Sequence, residues 1–151
     1  MDKIDPKDLK ILNLLKVDAK LTSQQIFRKT LIPVTTVHNR IKKLERMGII
    51  KGYTILLDHK KLGKGIMAFI LMTVTYLLPS GKKISQTELA KAISRLPEVE
   101  ETHIVTGGTD IIIKVRVKDM DDLNNFVINK LRSLDGVENT QTIITLSTPE
   151  V

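Results

Sequence analysis

The chain has 151 residues, 42% of them hydrophobic and 27% charged, with 3% aromatic residues, no Trp and no Cys. That length fits one large domain or two small ones with aliphatic cores, and the missing cysteine excludes a disulfide framework and thiolate metal sites. The first ten residues, MDKIDPKDLK, lack the apolar run of a signal peptide, and no apolar stretch is long enough to span a membrane. A cytoplasmic protein with no membrane partner is the expectation. The net charge of +7 is unevenly divided: residues 1–64 hold 15 Lys and Arg against 6 Asp and Glu (+9), and residues 65–151 hold 9 against 11 (−2). A basic module joined to a mildly acidic one points to a polyanionic partner for the first alone.

In chain order, the first helix is written over 6–17. Asp5 is placed to cap it, with Pro6 in the first turn, Asp8 three residues on, and Ile4 and Leu9 in hydrophobic-staple positions. Leu9, Leu12 and Leu15 are expected to face inward, with Ile11 and Leu14 widening the stripe. Thr22 and Gln25 form a capping box for a second helix over 23–30, stapled by Leu21 and Ile26, and Leu31-Ile32-Pro33 makes the turn. A third helix over 34–47 ends at Gly48, a left-handed cap.

Three short helices with this turn predict a helix-turn-helix domain. On the third helix Val34, Val37, Ile41 and Leu44 recur at helical spacing. Thr35, Asn39, Lys42, Lys43 and Arg46 take the opposite side, with His38 and Thr36 on its flanks. An apolar side for its own domain and a hydrogen-bonding, cationic side for a partner is the division that a helix entering the major groove of double-stranded DNA requires. Asn39 is placed to pair with adenine, Thr35 and Thr36 to meet methyl groups or phosphate, and His38 to donate to a base or phosphate. Lys42, Lys43 and Arg46 suit phosphate. Arg40 lies nearer the buried edge and is divided evenly between a phosphate contact and an intramolecular salt bridge.

Residues 49–57 look extended, with Gly52 as a kink, and the polar stretch DHKKLGKG over 58–65 reads as a linker. From Ile66 the run IMAFILMTVTYLL is a strand buried on one or both faces, followed by a loop over 79–83. Ser85 and Glu88 cap a helix over 87–96. Strands are expected over 99–106 and 110–117, joined at Gly107-Gly108. A helix over 119–134 places Leu123, Val127 and Leu131 inward, Gly136 breaks it, and a last strand covers 137–146. The order β-α-β-β-α-β is the ferredoxin-like arrangement, so the fold class is α+β. The domains are then a helix-turn-helix domain over 1–50, a hinge strand and linker over 51–65, and a ferredoxin-like domain over 66–151. An internal echo fits that pairing of halves, since LPEVEETH at Leu96 and LDGVENTQ at Leu134 share Leu, Val, Glu and Thr at equal offsets.

Three pieces together, IDPKDLKILNLLKVDAKLT, TVHNRIKKLERMGIIKGYTILLDHKKLG, and VTGGTDIIIKVRVKDMDDL with GVENTQT, resemble the Lrp/AsnC family of transcriptional regulators. The resemblance runs from Ile4 to Leu146. It implies DNA binding by the N-terminal helix-turn-helix, a hinge strand, and a C-terminal module that pairs with its twin, often within tetramers or octamers. It also implies a small effector, commonly an amino acid. The family's Gly-x-x-Asp is matched by Gly107 to Asp110, with Thr109 within it. Glycine there lets a ligand carboxylate reach backbone N–H groups, Asp110 is placed to accept from an ammonium, Thr140 and Thr142 to add hydroxyls, and Ile104 and Met120 to line an apolar wall. The turn departs from the family, since Pro33 stands where a capping Ser is common.

Catalysis finds no support: His38, His59 and His103 have no metal-ligand spacing, and no nucleophile–base set or nucleotide-binding fingerprint occurs. The expectation is a non-enzyme without cofactor or metal. An RNA-binding sheet would need surface aromatics that these strands scarcely offer. A small-molecule-sensing regulatory subunit with no DNA target of its own is the alternative, and it leaves the +9 module unexplained.

Overall fold

A computed structural model of the chain describes residues 3–148. The extreme ends of the two expected domains, residues 1–2 and 149–151, lie outside the described residues. The chain divides into two compact units, with the boundary between Leu57 and Asp58.

Unit 1 consists of α1 (Pro6–Val17), α2 (Ser23–Thr30) and α3 (Val34–Arg46). Asp5 accepts from the N–H groups of Lys7 and Asp8 at 2.8 and 3.0 Å, while the Asp8 carboxylate accepts from the Asp5 N–H at 3.0 Å. This reciprocal cap satisfies donors that a helix start leaves open. Thr22 and Gln25 repeat it on α2. The core is Ile11, Leu15, Ile26, Ile32 and Val37, with Leu14, Leu21, Ile41 and Ile50 packed against it.

Two expected stripes are corrected. On α1 the buried positions are Asp8, Ile11 and Leu15, and Leu9 is 52% exposed. The stripe is rotated because a carboxylate takes one of its positions. On α3 Val37 and Leu44 are buried, but Val34, in the first turn at the stripe's edge, is exposed. The turn between α2 and α3 closes without a Pro33 side-chain cap. Leu31 takes φ 58°, and Thr30 Oγ1 donates to the Ile26 carbonyl while accepting from the Ile32 N–H. The expected hinge strand over 49–57 is not a strand here. Its backbone pairs with no described strand, and Leu56 is fully exposed.

Unit 2 contains β1 (Ile66–Val74), α4 (Gln86–Ser94), β2 (Val99–Ile104), β3 (Ile111–Val117), α5 (Met120–Asn125) and β4 (Val137–Ile144). The strands form one antiparallel sheet in the order β2-β3-β1-β4, which is the ferredoxin-like topology. β1 is shorter than the expected 66–78 and its register shifts at Thr73/Val74. The last strand stops at Ile144 rather than Leu146. The expected helix over 119–134 continues past α5 as a π-helical stretch, Phe126–Leu131, with the Arg132 N–H reaching back five residues to the Val127 carbonyl.

The period of two on β1 gives it two different faces. Ala68, Ile70, Met72 and Val74 join Ile111, Ile113, Val115 and Val117 under the helices, against Leu89, Ile93, Leu123, Phe126 and Leu131. Met67, Phe69, Leu71 and Ile112 lie on the other face, with Phe69 opposite Ile143 and Leu71 opposite Ile112. Only half of the apolar run is therefore available for an interface.

Gly136, with φ 98°, sits where an added Cβ would lie 2.5 Å from Ile84 Cγ2. Gly136→Ala should cost about 1–3 kcal/mol from backbone strain and overpacking together. Gly65→Ala, with open space around it, should change stability little. Urea unfolding of the two variants checks this.

Candidate DNA interface and effector region

One side of α3 is closed by the core of unit 1, and Thr35, His38, Asn39, Lys42 and Arg46 are exposed on the other, with Thr36 half-buried. These are the base-reading and phosphate-holding groups expected from the sequence, and the fold brings them onto one surface. The remaining two cations turn elsewhere. Arg40 NH1 donates to Asp5 Oδ2 at 2.6 Å and to Asp8 Oδ1 at 2.7 Å. Lys43 Nζ donates to the Lys3 carbonyl at 2.9 Å and lies 3.4 Å from Asp8 Oδ2. Of the two readings left open for Arg40, the structure shows the salt bridge.

Asp8 is fully buried. Burial opposes its charge, yet the Asp5 N–H, Arg40 and Lys43 outweigh that and hold its carboxyl below the usual carboxylate range. Asp5 is lowered by the Asp8 N–H and by Arg40, and Arg40 is raised by Asp8 and Asp5. The spacing of Asp5 and Asp8 reads as a helix cap, and no local signal reports that the same two carboxylates serve Arg40, 32 residues beyond Asp8.

In unit 2, Gly107 has φ 111°, a backbone that favours glycine, and Gly108 stands in open space. Thr109 is half-buried and Ile104 is exposed. Asp110 is more occupied than its expected role requires. Its carboxylate accepts from the Val74 N–H at 2.8 Å and from the Tyr76 hydroxyl at 2.9 Å. Its carbonyl accepts from the Gln86 side chain at 3.0 Å and from the Val105 N–H. That hydrogen bond to Asp110 also raises the Tyr76 phenol above its ordinary value. Tyr76 and Gln86 were not legible as site residues, because Tyr76 ends an apolar run and Gln86 reads as a helix start.

The other candidates separate by topology. Thr140 is opposite Met72, and Met72 is opposite Ile111, so Thr140 lies two strand spacings (about 10 Å) from the start of β3. Its hydroxyl accepts from Arg132 Nε at 2.9 Å. Thr142, opposite Ile70, is exposed. Met120 follows the far end of β3, about 20 Å from the glycine turn. Within one chain, Met120 and the turn do not form a single pocket. A depression of about 310 Å³ does occur near Met120's end of the sheet, lined by Lys64, Glu98, Arg116, Lys118, Asp122 and Lys130 among others. Lys130 pairs there with Glu98, and Arg116 with Glu100. Among the described residues no cluster of metal-ligating side chains occurs and no helix is long and apolar enough to cross a membrane.

A helix-turn-helix unit with an exposed polar α3, followed by a four-stranded ferredoxin-like unit, defines a transcriptional regulator with a DNA-binding and a ligand-binding part. Residues 4–51 match the model of winged helix-turn-helix DNA-binding domains, and residues 68–150 match that of Lrp/AsnC ligand binding domains. The chain is 37% identical to the HTH-type transcriptional regulator FL11 of Pyrococcus horikoshii, covering 96% of this chain and 91% of the relative. Among solved structures, Escherichia coli AsnC aligns with a TM-score of 0.80 at 29% identity over 99% of this chain and 97% of that one. A transcriptional regulator of Neisseria meningitidis, solved as its complex with L-Met, aligns with a TM-score of 0.85 at 27% identity over 99% and 94%. The chain belongs to the Lrp/AsnC family of transcriptional regulators.

Because the folded-state pKa values of Asp5 and Asp8 are depressed, the stability that they supply is complete above the unfolded carboxylate value of about 4. It is lost as the pH falls through their lower folded values. Thermal unfolding of the native chain from pH 6 to pH 2 should show a steeper acid loss than that of Asp8→Asn.

Proposed function

We propose that this regulator acts in the cytoplasm as a homodimer, reads a specific duplex through α3, responds to an amino acid or a related small metabolite, and catalyses no reaction. The observation that carries the DNA reading is the exposure of Thr35, His38, Asn39 and Lys42 on one side of a helix whose other side is closed. Asn39 reads adenine and His38 a neighbouring base or phosphate, while the two threonines meet methyl groups or phosphate. Lys42 and Arg46 hold the backbone. Two such helices in a dimer face half-sites about 34 Å apart, or a multiple of that.

Dimerisation is supported by the sheet face that the helices leave uncovered. Phe69 and Ile143 are opposite one another there and both are exposed, beside Leu71 and Ile112. A second copy of the same face would remove these groups from water. Effector sensing is supported by the side-chain-free turn at Gly107-Gly108, which leaves open space for a carboxylate to approach the backbone. The Neisseria relative binds L-Met. Since Asp110 already holds two donors, we assign the ligand's carboxylate to the turn and treat Asp110 chiefly as the group that fixes the turn to β1.

Fluorescence anisotropy with duplexes from the DNA upstream of the chain's own coding sequence tests this reading. Lys42→Glu should weaken binding at every sequence and make the salt dependence of log K shallower by about one. An unchanged affinity and slope would remove this surface from the contact. Repeating the titration with each amino acid should find one that shifts the affinity, and no shift with any of the twenty would overturn the effector assignment.

A further inference from the structure

Besides Arg40, the sequence assigns seven polar or charged residues of α3 to DNA, and in the structure one of them, Lys43, is turned to the protein together with Arg40. Both cations end on the start of α1. Arg40 contacts Asp5 and Asp8 at 2.6 and 2.7 Å, and Lys43 lies 3.4 Å from Asp8 and 2.9 Å from the Lys3 carbonyl. The side chains of Arg40 and Lys43 are only 21% and 24% exposed, whereas Lys42, one position away, is fully on the open side. A cap alone explains neither the burial of Asp8 nor its two cationic partners. The start of α2 shows that a cap operates without such partners, since Thr22 caps it with Gln25.

We propose that Asp8 limits sequence-blind binding by competing with DNA for two cations of α3. Its buried carboxylate holds Arg40 and Lys43 on the protein, so that α3 meets the duplex with its base-reading side chains and fewer phosphate-binding cations. The physical basis is the difference between the two kinds of contact. A cation on phosphate adds affinity at every sequence through counterion release, whereas Asn39 and His38 add it only where the base edges match. Withholding two cations therefore lowers binding to all DNA equally and leaves the base-dependent part untouched. The ratio of specific to non-specific affinity is unchanged by this, while at a given protein concentration fewer non-specific sites are occupied. Asp8 touches no DNA in this account, so it is a positioning residue, and Asp5 assists it.

The inference rests on the assignment of α3 to the duplex, and the experiment separates the two. The full chain is titrated into a mixed-sequence duplex, and into the best duplex recovered from a randomised library, across a salt series. Lys42→Gln should make the salt slope shallower by about 0.9, which tests the assignment of the helix itself. Asp8→Asn keeps an acceptor for the Asp5 N–H but loses the charge. It should steepen the slope by about 0.9 for each cation released and raise affinity for both duplexes several-fold at low salt, with the ratio between them unchanged. A merely structural role for Asp8 would lower affinity for both duplexes without steepening either slope, and that result overturns the proposal. Should Asp8→Asn fail to fold by circular dichroism, the double variant Asp8→Asn/Arg40→Gln removes the pair together. It should still be steeper than the native chain by about 0.9, for Lys43 alone. A double variant with an equal or shallower slope would mean that Arg40 or Lys43 already binds phosphate in the native complex, and overturns the proposal as well.

Discussion

The N-terminal unit depends on a carboxylate that stands where its helix would otherwise carry an apolar side chain. Asp8 is buried on the same side of α1 as Ile11 and Leu15, and it is anchored from three directions, by the Asp5 N–H, Arg40 and Lys43. Bringing a carboxylate and a guanidinium out of water is unfavourable, and the mutual attraction of such a pair seldom exceeds that cost by much. Removing one partner, in contrast, typically costs about 3–5 kcal/mol. Such a cluster is a poor source of net stability and a strong source of registry. α1 and α3 cannot rotate or slide against each other without breaking it, whereas the aliphatic contacts of Ile11, Ile26 and Val37 would tolerate a small shift. The angle at which α3 leaves the unit, and so the direction in which Asn39 and Lys42 point, is fixed by polar contacts more than by the core.

Unit 2 is governed by a different constraint, the alternation of β1. Each of its residues serves either the helix-covered core or the open face, and the antiparallel register with β3 and β4 carries the same division across the sheet. Cross-strand neighbours on the open face then fall into an apolar part, around Phe69, Leu71, Ile112 and Ile143, and a charged part, where Lys114 and Arg116 pair with Glu100 and Glu101. The central β1 accounts for why the segment reads as continuously hydrophobic. A strand that closes a core on one face and offers an apolar surface on the other has few positions where a polar residue fits.

Much of this was legible because it is local. The caps at Asp5 and Thr22, the glycine breaks at Gly48, Gly107 and Gly136, and the β-α-β-β-α-β order all follow from residues within a few positions of one another, and the fold agrees with them. What escaped is what depends on distant partners. The rotation of the α1 stripe away from Leu9 needs Arg40 to explain it. The end of β1 at Val74 coincides with the Asp110 carboxylate taking the Val74 N–H. The extended run over 49–57 has the composition of a strand, but strand character requires a second backbone, and none pairs with it among the described residues. The candidate effector residues dispersed for the same reason. Spacing along the chain brought Met120 and Gly107 into one set, and the length of β3 keeps them apart.

The two units share one device. In each, an aspartate is engaged by internal donors that local spacing does not announce. Asp8 holds Arg40 and Lys43 of α3, and Asp110 holds the end of β1 through the Val74 N–H and the Tyr76 hydroxyl. In both cases the carboxylate fixes backbone or side chains beside a surface proposed to meet a partner. Asp110 ties the chain after the Gly107-Gly108 turn to β1, just as Asp8 ties α3 to α1. A ligand that arrived at Asp110 with an ammonium would therefore have to displace or share two good donors, and leaving the Val74 N–H unsatisfied would cost about 1–3 kcal/mol. A carboxylate arriving at the turn displaces nothing but water. On the proposed reading, the acidic end of an amino acid is therefore the end that this turn would take, while Asp110 keeps its place on β1.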